Sequence, residues 1–256
     1  MAHIHLRAGF LLAALGLMST AALGQSQVTT DAPVADSAEQ EAPSRRFKLS
    51  LGHYIYSDGV SANDLNLRWF GDNTHVWVGR YNDRSFGIQD RTGLDHTFTM
   101  NERVSLQLSG QAATGGFYGG SVQATVGDAV FATVGLGRTN LKPYYNLNFD
   151  PNDAVTLGGG MNWSDGSNVS LTVVADNRTG SGQKVWHLVW RDDELKDAKL
   201  VFDLNYKAGI GPDGMVRGWG FTWGYEYERW FLKVALDKHQ NFELFNAVRL
   251  TAGLRF

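Results

Sequence analysis

The chain is 256 residues long, with 30 glycines, 5 prolines, no cysteine, 12% aromatic residues and a formal net charge of -3. The missing cysteine excludes disulfides and thiolate metal sites, and the absence of a basic stripe argues against a nucleic-acid surface. Beyond Gly24 no apolar stretch approaches the length of a membrane-crossing helix, so a crossing here requires strands.

The N-terminus carries His3, His5 and Arg7, an apolar run from Ala8 to Leu17, and small residues at Ala22 and Gly24. That run is too short to span a bilayer, and residues 1–24 read as a secretory signal cleaved before Gln25. Residues 25–44 hold Asp31, Asp36, Glu39 and Glu41 among small and polar residues. With little apolar surface to offset its ordering entropy, this segment is expected to be a disordered acidic periplasmic tail.

Residues 45–256 are expected to form one all-β domain. Period-two alternation predicts about fourteen strands, over 46–56, 63–70, 75–82, 86–98, 103–112, 116–126, 129–138, 154–163, 168–177, 184–192, 198–208, 215–226, 229–238 and 246–256. With both ends in the periplasm the count must be even. Residues 139–153, with Pro143, Tyr144, Tyr145 and the turn-forming run Asp150 to Asp153, are therefore expected to be an external loop. If Lys142 to Phe149 pairs instead, another span is not a strand, and counts of twelve and sixteen stay open.

The chain ends on Val248, Arg249, Leu250, Thr251, Ala252, Gly253, Leu254, Arg255 and Phe256, apolar at every even position. The same alternation recurs along the chain with no helix or second apolar layer to cover it, so the apolar parity is expected to meet lipid. This terminal strand resembles the assembly signal of Gram-negative outer-membrane β-barrel proteins, and in size and tail the chain is similar to the YaiO-type barrels and small oligosaccharide porins. The resemblance implies an antiparallel transmembrane β-barrel in the outer membrane. It also implies that the barrel-assembly machinery reads Phe256.

Bulky apolar sets mark the lipid parity: Leu65, Leu67, Trp69; Trp186, Leu188, Trp190; Trp230, Leu232, Val234, Leu236. The opposite parity is expected to line the lumen with Arg68, Arg80, Arg91, His187, Arg191, Asp203, Lys207, Lys233, Asp237 and Arg249, basic residues outnumbering acidic ones. Gly218, Gly220 and Gly224 leave room for flanking side chains, with Asp203 and Lys233 the expected pair. Two readings of this belt stay open. One is an ion-pair network that fills the barrel; the other is an aqueous eyelet with Arg91, Lys233 and Arg249 near mid-depth, favouring small anionic or polar solutes.

Asp90 falls on the lipid parity, where a carboxylate is costly, and a bulge near Thr92 and Gly93 is the expected repair. Arg138, Arg217 and Lys238 share that parity at the outer ends of their strands, where each cation suits lipopolysaccharide phosphate. The five histidines from His53 to His239 are scattered and carry no nucleophile motif, and neither metal-ligand spacing nor a cofactor signature stands out. The expectation is a non-enzymatic, porin-like outer-membrane channel, with a closed structural or surface-interaction barrel as the alternative and a lipid-active hydrolase third. Oligomeric state is not readable from these residues.

Overall fold

The structure, a computed structural model, describes residues 45–84, 86–145, 147, 150–192 and 198–256. The expected signal and acidic tail lie outside the described residues. The remainder forms fourteen strands: β1 Phe47–Tyr56, β2 Ser61–Phe70, β3 Thr74–Asp83, β4 Gly87–Asn101, β5 Val104–Ala113, β6 Phe117–Gly127, β7 Val130–Thr139, β8 Ala154–Asn162, β9 Asn168–Asp176, β10 Lys184–Asp192, β11 Ala198–Gly211, β12 Gly214–Tyr227, β13 Trp230–Asp237 and β14 Ala247–Arg255. Each pairs antiparallel with its sequence neighbours, and β1 pairs β14 to close the barrel. Closure removes the free edges that an open sheet would leave unpaired in lipid.

The seam is tied at its periplasmic end by the last residue. Phe47 and Phe256 exchange backbone hydrogen bonds of 2.9 Å in both directions, and their rings stack 5.7 Å apart at 18°. Opposite the seam's periplasmic end, tight turns join the strands. Between β5 and β6, Gly115 and Gly116 take φ of +88° and +79°, a left-handed pair that two side-chain-bearing residues would occupy only under strain.

The outward parity is apolar almost throughout. Leu51, Leu65, Val78, Val130, Leu236 and Leu250 are each 44–67% exposed on the barrel exterior. A contiguous belt of this kind is far larger than the apolar patches soluble proteins show, and hydrocarbon is the solvent that accommodates it. Trp219, Tyr225, Tyr227 and Trp230 stand outward on β12 and β13 near the strand ends, where amphipathic rings suit headgroup depth.

Arg80 departs from its expected place. In β3 the inward residues are Trp77, Gly79, Tyr81 and Asp83, so Arg80 faces outward. There it stands directly opposite Asp90 of β4 and donates to both its oxygens, Nε to Oδ1 at 2.6 Å and Nη2 to Oδ2 at 2.8 Å. The β3–β4 register runs unbroken through Val78↔Thr92 and Trp77↔Gly93, so no bulge resets the phase there. The irregularity in β4 falls between Thr99 and Asn101, against β5. Asp90 is accommodated on the lipid side by a bidentate counter-ion rather than by being turned inward.

Candidate channel constriction

The described residues between β7 and β8 leave the end of the barrel opposite its seam termini, the end expected to be extracellular, and turn back into it. The base of this loop is clamped at Asp153, whose Oδ1 accepts the Thr139 N–H at 3.1 Å and Arg178 Nη1 at 2.6 Å. Burial pushes the Asp153 carboxyl up, but these donors and the Thr139 hydroxyl outweigh it and hold the carboxyl below its ordinary value.

From there the loop goes round the wall in falling strand order. Tyr144 stacks on Phe117 of β6 at 4.1 Å and donates its hydroxyl to Gln111 of β5 at 3.2 Å. Tyr145 stacks on Tyr81 of β3 at 4.1 Å, its hydroxyl lies 2.7 Å from that of Tyr56 on β1, and its N–H donates to Gln89 of β4 at 3.1 Å. The Leu147 carbonyl accepts Arg249 Nη1 of β14 at 3.0 Å. Asp150 Oδ1 meets His187 Nε2 of β10 at 3.0 Å. A segment crossing the lumen as a chord would touch two opposite walls; the described residues of this one touch β6, β5, β4, β3, β1, β14 and β10, and Tyr144, Tyr145 and Asp150 turn toward the wall. It is a collar on the inner face.

The wall under the collar is a set of satisfied charges. His187 Nδ1 lies 3.0 Å from Asp203 Oδ2, so the ring has a carboxylate at each nitrogen. Both carboxylates receive a proton donor only when both ring nitrogens carry hydrogen. Arg91, 5% exposed, is paired with Asp64 and faces the Tyr144 hydroxyl. Lys207 of β11 reaches across β12 to Asp237 of β13, Nζ to Oδ2 at 2.8 Å, in the register of Gly218 and Gly220. The glycines thus leave the room expected of them. The pair that uses it is Lys207 with Asp237, because Asp203 is taken up by His187.

Burial divides the lumen in two. At collar level Tyr54, Tyr81, His187, Asp203 and Lys207 are buried. Toward the periplasm the inward residues Lys48, Ser50, Arg68, Gln107, Arg191, Lys233 and Thr251 stay partly exposed, though they point inside a closed sheet. Solvent therefore reaches the lower lumen. Above the collar lies an outer vestibule of about 440 Å³, bounded by Tyr145, Phe86, Asp58, Asp83, Asp150 and Glu243. Among the wall residues of β10 to β14 remains a void of about 20 Å³ beside His187, Lys207 and Asp237.

Of the three residues expected at an eyelet, Arg91 and Arg249 hold the collar, while Lys233 faces the lower lumen. Arg68 and Arg191 also face the lower lumen. Arg138 and Arg217 stand outward near the extracellular ends of β7 and β12, and Lys238 is exposed just beyond β13. Sequence reasoning missed the tyrosines. Their signal was present in the alternation: Tyr54, Tyr56 and Tyr81 lie on the inward parity of β1 and β3, where lipid does not explain a bulky ring.

Fold and outward belt together define the outer-membrane class of β-barrel. No protein-family model matches the chain, and no curated protein matches it in sequence. Among solved structures it is similar to the Acinetobacter baumannii outer membrane protein Omp33, with a TM-score of 0.55 and 10% identity over 83% of this chain and 98% of that one. The NanC porin aligns at a TM-score of 0.47 and 6% identity over 81% of this chain and 100% of that one. A KdgM porin in complex with disordered oligogalacturonate aligns at 0.46 and 11%, over 82% and 99% of the two chains. At these identities the likeness is one of fold.

Proposed function

We propose that the protein is a porin-like channel of the bacterial outer membrane that passes small polar solutes through an aperture set by the collar. The observation that carries this reading is the partition of the lumen: a vestibule and a solvated lower half, separated by a loop that sends Tyr144, Tyr145 and Asp150 to the wall. A loop meant to fill the barrel would send its side chains to the axis. Catalysis has no part in the reading, since His187 is engaged on both nitrogens by carboxylates and, among the described residues, hydrogen-bonds to no hydroxyl nucleophile.

Reconstitution of the purified barrel in a planar bilayer tests the proposal. Discrete conductance steps are expected, growing when Tyr145→Ala and Arg249→Gln together loosen the collar. No conductance from folded barrels of either kind would favour the closed reading, for which the buried ion pairs at collar level are the supporting observation.

We further propose that the rim binds lipopolysaccharide through Arg138, Arg217 and Lys238, whose cations suit phosphate at headgroup depth. Replacing all three by glutamine should weaken the stabilisation that lipopolysaccharide confers on the barrel, with no change in neutral detergent. Equal stabilisation of mutant and wild type refutes the site.

A further inference from the structure

The charges inside the barrel are segregated along its axis. The outer vestibule is lined by the carboxylates of Asp58, Asp83, Asp150 and Glu243, with no lysine or arginine among its described lining residues. These carboxylates sense one another. Burial raises the pKa of Glu243, and Asp213, Asp58 and Asp83 raise it further. Rings share the same space, with Tyr145, Phe86 and Phe245 beside the carboxylates.

Below the collar the sign reverses. The inward bases of the periplasmic half are Lys48, Arg68, Arg191, Lys199, Lys233 and Arg255. Only two inward carboxylates of described strand residues share that zone, Asp95 and Glu226, which leaves six bases against two acids and a formal charge of +4. Glu226 is bound by Arg255 at 2.6 Å. The wall of β5 to β7 adds no charge, presenting Gln107, Ser109, Gln111, Ser121, Gln123 and Thr133.

A free anion entering from outside meets the acidic vestibule first, and a free cation that passes it meets the basic lower lumen. Each simple ion has one favourable and one unfavourable zone. A solute with a positive and a negative end has a favourable orientation in both, cation toward the vestibule and anion toward the periplasm. Aromatic faces beside the carboxylates add cation–π attraction for an organic ammonium group. We infer, resting on the channel reading, that the preferred solutes are small zwitterions bearing an ammonium and a carboxylate. The axial polarity favours them over anions, cations and neutral polyols of the same size.

One unit charge about 8 Å from a fixed opposite charge in a water-like dielectric gains a factor of about 2.4, so two ends together give roughly sixfold. Swelling of barrel-loaded liposomes measures this. γ-Aminobutyrate should enter roughly sixfold faster than erythritol, and faster than either butyrate or butylammonium. In Asp58→Asn/Glu243→Gln, and separately in Lys48→Gln/Arg68→Gln, the ratio of γ-aminobutyrate to erythritol entry should fall about twofold. The wild-type comparison needs no variant to fold. Erythritol entry with no advantage for γ-aminobutyrate, or an unchanged ratio in both variants, overturns the zwitterion preference and leaves the channel standing. Entry of neither solute into liposomes carrying folded barrel overturns both.

Discussion

His187 is the residue on which the collar should depend most. It is 5% exposed and bridges Asp150 on the loop to Asp203 on the wall at 3.0 Å each. Replacing it by alanine removes the ring that bridges the two buried carboxylates. Breaking a buried ion pair from one side costs about 3–5 kcal/mol. Asp203 on its strand cannot leave, whereas Asp150 can turn to water if the loop detaches, so the expected loss is near the lower figure, about 3 kcal/mol. For a domain of this size that corresponds to a fall of about 6–12 °C in Tm, readable as the temperature at which the barrel loses its heat-modifiable gel mobility. The released loop should become a protease target between residues 140 and 153, and conductance should rise. Asp150→Asn supplies the second arm. If the two residues act as one latch, the substitution should cost much less in a His187→Ala background than in wild type. Additive costs, or a His187→Ala barrel with unchanged loop protection and conductance, refute the latch.

Deleting Phe256 removes two backbone hydrogen bonds and a stacked ring at the β1–β14 seam, so the yield of folded, protease-resistant barrel should fall; equal yield from the deletion strain would count against a role in closure. Arg80→Leu should destabilise the barrel by stranding Asp90 on the lipid side, while Arg80→Leu/Asp90→Leu should recover most of the loss. Urea midpoints that fall equally in single and double mutants would show that the pair is not the reason Asp90 is tolerated. Glu243 has its carboxyl pKa raised first by burial and then by Asp213, Asp58 and Asp83. Between the ordinary carboxylate value and this raised one the folded state holds more protons than the unfolded, so Glu243's contribution disfavours folding as pH rises through that window. On acidification through the same window the vestibule loses a charge. The reversal potential should shift there toward greater anion permeation, and Glu243→Gln should flatten that shift.

Much of the architecture follows from alternation alone. Strand periodicity is set by backbone geometry, and a belt such as Leu65, Leu67, Trp69 or Trp230, Leu232, Val234 can lie on only one face. The outward wall, the even strand count and the terminal strand were therefore legible before any contact was known. Arg80 marks the limit of that logic. A charge was assigned to water by its chemistry, yet register placed it opposite Asp90, and the two satisfy each other facing lipid. The collar lay further out of reach. Residues 139–153 carry turn signals, which report that the chain leaves its strand but not which way it goes next. That direction depends on partners far away in sequence: Tyr145 on Tyr56 and Tyr81, Leu147 on Arg249, Asp150 on His187. Pairing between neighbouring strands is local and leaves a period in the sequence, whereas a loop docking on seven strands is a sum of non-local contacts that leaves none. Only the closed barrel brings those partners to one level and decides that the loop lines the lumen.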